Sequence, residues 1–185
     1  MQNFFQAMSK MSRYNIAFKG LSQGKHEFLY ELDKSFFGAF ENSIVEDGQV
    51  SVNIVLEKQS ALLVLWFYID GTVNIQCDRC LELFDQPISG KNRIIVKFGE
   101  ENLDDGDDVI WVSVNDYQLN VAQLMYEFVS LALPIRHVHP DNENGKSVCD
   151  PEMIDKLNNL NVSKNDEEDI TDSRWDGLKK LLDNE

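Results

Sequence analysis

The chain has 185 residues, enough for one domain with a real core and a short tail but not for two large domains. Its 17 Lys and Arg stand against 32 Asp and Glu, a formal charge of −15 that repels a nucleic-acid backbone unless the cations are gathered in one place. The cations are scattered along the sequence, so a phosphate-tracking groove is disfavoured; the acidic surface is first read as charge that keeps the protein soluble and, as the sharper alternative, as a surface for a basic protein partner.

The opening stretch MQNFFQAMSKMSRYN has no continuous apolar core and no small-residue cleavage site, so no secretory signal is expected. From Tyr14 to Asp33 the pattern reads as extended segments around a glycine-marked turn, GLSQGK. Asp33 is placed to cap a short helix bearing Phe36, Phe37 and Phe40, which ends before Asp47-Gly48. QVSVNIVLEK alternates, with Val50, Val52, Ile54 and Leu56 on one face of a half-buried strand. The run from Ala61 to Ile69 reads as a strand apolar on both faces, with Trp66 in its core, and Asp70-Gly71 as a type I′ turn leading to a further strand that ends at Cys77. That apolar run is far short of the roughly 20 residues needed to cross a bilayer, and a cytosolic location is expected.

Two more strands follow, RIIVKF from Arg93 and DVIWVSV from Asp108, the second with Trp111 as a core residue. Asn120 with Gln123 then forms a capping-box-like start to a buried helix whose stripe is Val121, Leu124, Met125, Phe128, Leu131 and Ala132, closed by Pro134. A polar stretch, a short helix from Pro151 to about Leu160 and the linker-like NVSKNDEEDITD come next. In SRWDGLKKLL, Trp175, Leu178, Leu181 and Leu182 form the apolar stripe of a small docking helix. The whole reads as an α+β domain over residues 1–160, an antiparallel meander or partly open barrel-like sheet packed with a few helices, then an acidic linker at 161–171 and a terminal amphipathic helix at 172–185.

The pair Cys77-Asp78-Arg79-Cys80 admits three readings. Thiolates at this spacing reach one tetrahedral ion from a tight turn, but they supply only two of four ligands. A redox couple needs a thiol at a helix N-terminus or beside a cation, and here the pair follows a strand with Arg79 as the only local cation. The third reading is two small buried residues with no ion. RHVHPDNENGKSVC carries the remaining donors apart from His26. If that loop folds over the strand end, Cys77, Cys80, Cys149 and His139 make three thiolates and an imidazole, with His137 as the competing histidine and zinc as the natural ion. No nucleophile elbow, phosphate loop, dinucleotide fingerprint or metalloprotease helix motif occurs, which leaves a small zinc- or thiol-dependent enzyme of unknown substrate as the alternative class to a binding factor.

Taken together, CDRCLELF after an apolar hairpin, LNVAQLMYEFVSLALP leading to VHP and then Cys149, and the closing SRWDGLKKLL resemble the large ribosomal RNA subunit accumulation proteins of bacteria and plastids, over residues 49 to 182. The interval from His139 to Cys149 is longer here than in that pattern. The resemblance implies a non-enzymatic factor for 23S ribosomal RNA accumulation during large-subunit assembly. Its implied partner is a basic ribosomal protein or a pre-50S particle, with rRNA contact indirect or local, and with no membrane and no small-molecule substrate. By matching positions it places a metal or structural site at Cys77, Cys80, His139 and Cys149; Arg79 beside the thiols and Trp175 in the tail are the expected partner-binding residues.

Overall fold

A computed structural model describes residues 11–99, 106, 108–142, 145 and 147–160. Strands β1 (Asn15–Ile16) and β7 (Leu119–Asn120) form a small antiparallel pair. The main sheet has the order β2 (Gly24–Leu32), β3 (Asp47–Lys58), β4 (Leu62–Gln76), β5 (Leu83–Phe98), β6 (Val109–Val112). Neighbours are antiparallel except β5 and β6, which run parallel, so the fold is α+β with an open mixed sheet that does not close into a barrel. Helices α1 (Lys34–Phe37), α2 (Ala122–Leu131) and α3 (Pro151–Leu160) complete the described chain. Among the described residues no helix is long and apolar enough to cross a membrane.

The alternation read in β3 is realised, since Val50, Val52, Ile54 and Leu56 are fully buried. Leu63, Leu65 and Phe67 of β4 and Val96 of β5 share that inner face, which α2 covers with Met125, Val129 and Phe128, the last packed edge-on against Phe67 at 4.9 Å. Asp33 caps α1 as expected, accepting the Phe36 N–H at 3.1 Å, and Phe36 and Phe37 enter the core. At α2 the Asn120 Oδ1 accepts the Ala122 N–H at 3.0 Å, but Gln123 bonds Glu127 rather than reaching back, so only half of the capping box forms. Leu131, assigned to the buried stripe, lies past the sheet's cover and is 72% exposed.

Two other expectations are corrected. Asp70-Gly71 is no hairpin turn: β4 runs straight through it, pairing Gly71 with Val50 on one side and Ile88 on the other. Gly71 has φ +157°, and a Cβ there would collide with the Gln49 carbonyl oxygen, so the glycine serves close strand approach. Pro87 lies within β5 opposite Thr72, in the part of the strand that β6 does not pair. Trp66 and Trp111 are not core. They are half-buried on the outward face, where Lys91 lies 4.7 Å and Arg93 5.7 Å from the Trp66 ring and Lys97 5.5 Å from the Trp111 ring. The acidic linker and the Trp175 helix lie outside the described residues.

Candidate metal centre

The β4–β5 connection is a tight knuckle. The Cys77 N–H donates to the Glu82 carbonyl at 2.9 Å and the Leu81 N–H donates to the Cys77 carbonyl at 3.0 Å, with Leu81 in the left-handed region at φ 64°. The Gln76 side chain donates to the Leu81 carbonyl at 2.9 Å and braces the same turn. This geometry aims the Arg79 and Cys80 N–H groups at the Cys77 sulfur.

After α2 the chain turns at Pro134 and runs back over the knuckle. Two short bonds clasp it there: the Asp78 N–H donates to the His137 carbonyl at 2.7 Å and the His137 N–H donates to the Asp78 carboxylate at 2.7 Å. The clasp settles which histidine faces the thiols. The His137 ring lies 3.8 Å from Asp78, whereas His139 packs on Phe84 and brings its Nδ1 to 3.4 Å from the Cys80 Sγ and 3.6 Å from the Cys149 Sγ. His26 is remote, bonded to the Ser22 carbonyl in β2. The longer interval before Cys149 closes on itself through a bridge between Asp141 and Ser147, and the Ser147 hydroxyl accepts the Cys149 N–H at 3.3 Å. Cys149 then sits just ahead of α3.

Cys77, Cys80, His139 and Cys149 thus lie together, with all their donor atoms within 4.8 Å of one another and the three cysteines buried. The Cys77 and Cys149 sulfurs are 3.8 Å apart, a separation that excludes a disulfide bond. A tetrahedral ion held roughly 2.3 Å from sulfur and 2.0–2.1 Å from nitrogen needs S···S edges of about 3.8 Å and S···N edges of about 3.6 Å. Three of the six separations, at 3.8, 3.4 and 3.6 Å, lie near those edges, and all six fall within 4.8 Å. Electrostatics point the same way. Burial disfavours the Cys77 thiolate, but N–H groups of Cys80, Arg79 and His139 together with the His139 ring outweigh it and bring its pKa down to about 6. Cys149 is pushed up, by burial first and then by the neighbouring Cys77 and Cys80 sulfurs against a lowering contribution from Ser147. Several sulfurs compete to be anionic in one small volume, and a cation among them removes that conflict. The four residues are therefore able to hold a metal ion.

Arg79 is half-buried in the knuckle turn and contributes its backbone N–H to Cys77. Beside the knuckle, sequence reading missed an acid-lined cavity of about 550 Å³ bounded by Glu46, Asp47, Asn74 and Asp85 with Lys34 at its rim. Asp85 accepts a hydrogen bond from Asn74 at 2.8 Å and Asp47 pairs with Lys34 at 3.4 Å. These carboxylates come from separate segments, so only the strand register gathers them.

An open α+β sheet carrying a buried three-cysteine, one-histidine cluster at the end of its longest hairpin defines a knuckle-bearing domain whose best-organised polar site is a candidate ion site. The chain belongs to the family described as large ribosomal RNA subunit accumulation protein YceD, whose sequence model matches residues 65–182. The matched span runs from β4 through the knuckle, α2, both histidines and Cys149. No curated protein and no solved structure matches the chain significantly.

Proposed function

We propose that this protein is a non-enzymatic factor for 23S ribosomal RNA accumulation, acting in large-subunit biogenesis by binding a basic ribosomal protein or a pre-50S particle. The family match over residues 65–182 carries this reading. In it, zinc bound by Cys77, Cys80, His139 and Cys149 is a structural clip: four protein ligands fill a tetrahedron and leave no open position for substrate. When bound, the ion supplies the charge that lets the thiolates share one volume, and it ties the β4–β5 knuckle to the segment after α2. The acid-lined cavity at Glu46, Asp47 and Asp85 is the matching surface for basic side chains of the partner, with Arg79 at the adjoining knuckle and Trp175 in the tail as further contacts. The division into a domain at 1–160, a linker at 161–171 and a docking helix at 172–185 belongs to the same proposal, as does a cytoplasmic location.

Affinity purification of the tagged full chain from cells at low salt tests it. Recovery of a large-subunit ribosomal protein or assembly particle is expected, and its loss in Asp85→Lys is expected to follow from the reversed charge. Recovery of no ribosomal or assembly component would overturn the reading. The competing enzyme reading requires an open coordination position or a reactive thiol, so rapid alkylation of Cys77 or Cys80 in native, metal-loaded protein would favour it.

A further inference from the structure

The outward face of the main sheet gathers cations and aromatic rings toward one side. On β4 and β5 the outward positions carry Trp66 beside Arg93 and Tyr68 beside Lys91, and further along the same strands Lys97 stands beside Trp111 of β6. Cations scattered through the sequence are brought by the two-residue period of one strand onto one face. Acids on that face are Glu27 and Glu31 at the β2 edge, Glu57 of β3, Asp47 and Asp85 at the knuckle end, and Asp70, which follows Tyr68 on β4 and borders the cationic stretch. Within the cationic stretch Arg93 is bonded to Asp108 at 2.8 Å, whereas among the described residues the exposed Lys91 has no carboxylate within ion-pair distance.

Lys91 stands over two rings at once, 4.7 Å from Trp66 and 5.3 Å from Tyr68, and Tyr68 is 41% exposed. A solvent-exposed cation over a ring is held weakly, whereas a nucleobase stacked on an aromatic side chain is held more strongly, so a base displaces the ammonium and frees it for the neighbouring phosphate. The outward positions from Tyr68 to Leu62 span six residues, about 20 Å of strand. A flat sheet with aromatic residues interleaved with cations is the arrangement on which single-stranded bases stack in succession.

We propose that this half-face, built on Trp66, Tyr68, Lys91, Arg93 and Trp111, is a binding site for single-stranded RNA, with Tyr68 and Trp66 as stacking platforms and Lys91 as the principal phosphate contact. The choice of RNA over DNA rests on the function proposed above; the site itself rests on the register and chemistry of the sheet. An acidic protein segment is the rival ligand, since it also seeks cations, but it gives no use to the exposed Tyr68 ring and the half-buried Trp66 and Trp111 rings beside the cations.

Fluorescence anisotropy of an end-labelled ten-nucleotide oligouridylate titrated with the full-length protein at several salt concentrations tests the proposal. Binding is expected to weaken with salt. Lys91→Glu is expected to weaken it roughly tenfold or more and to flatten the salt dependence by about one phosphate contact. Tyr68→Ala is expected to weaken binding roughly five- to a hundredfold with the salt dependence retained, the signature of lost stacking. Thermal unfolding of both variants checks that they remain folded. Absence of binding by the unmutated protein overturns the proposal, as does binding indifferent to Lys91→Glu, or equal binding of polyglutamate. The function proposed above fails separately, because its readout is recovery of a ribosomal component through the acidic cavity, which Lys91→Glu leaves intact.

Discussion

His137 and His139 stand two residues apart, and the sequence offers them as equal ligands for the cysteines. What separates them is the backbone clasp between Asp78 and His137, which turns alternate side chains of an extended segment to opposite sides. His139→Ala is therefore expected to purify with little or no zinc under conditions in which the unmutated protein and His137→Ala each retain an ion, as read by metal analysis of protein prepared without chelator. Asp78→Ala removes the acceptor of the clasp and is expected to weaken zinc roughly 10–100-fold, as loss of an outer-sphere partner does. Lys58 makes a second local argument. Its ammonium donates to the Phe18 and Leu21 carbonyls at 2.9 and 2.8 Å, and to Lys19 at 3.3 Å, pinning the turn ahead of β2. Lys58→Met keeps the apolar stem but removes the ammonium from these carbonyls, leaving the Phe18 carbonyl only the Leu21 N–H, and urea unfolding is expected to show a loss of about 1–3 kcal/mol.

At the scale of elements, the short-range signals were legible and the register-dependent ones were not. Asp33 before Phe36 and Phe37 announces a cap, and the cap is there. The Ser35 hydroxyl, the Phe36 N–H and Arg13 hold the Asp33 carboxyl below its ordinary range against a smaller desolvation effect. With the folded pKa below the unfolded one, the stabilisation is present above the unfolded value of about 3.9 and is lost as pH falls through the folded value. Asp33→Ala is expected to cost about 0.5–1 kcal/mol at neutral pH, the low end for an exposed cap, and progressively less as pH falls through the lowered folded value. Asp-Gly, by contrast, reads as a turn whenever only its neighbours in sequence are known. Only the pairing of β4 with both β3 and β5 shows Gly71 as a point of close approach. Gly71→Ala is expected to destabilise by about 2–4 kcal/mol through positive φ and backbone overlap, again read by denaturant unfolding.

Over the whole molecule, the ion cluster was foreseeable because so few cysteines and histidines exist that any site must use most of them. The cationic, aromatic half-face was not, because net charge averages over a surface that the strand order in fact segregates. Under the two proposals above, a basic partner and an RNA meet different ends of one sheet, and the tail is a separable element. A chain ending at Leu160 retains all the described core, the knuckle and the four metal-capable residues. It is expected to unfold at the same denaturant concentration as the full chain, to retain zinc, and to bind oligouridylate as the full chain does, while losing recovery of its ribosomal partner if the Trp175 helix docks there. Partner recovery undiminished by the truncation would remove Trp175 from the interface and leave the acidic cavity to account for it alone; a truncated chain that no longer folded would instead place the tail within the domain.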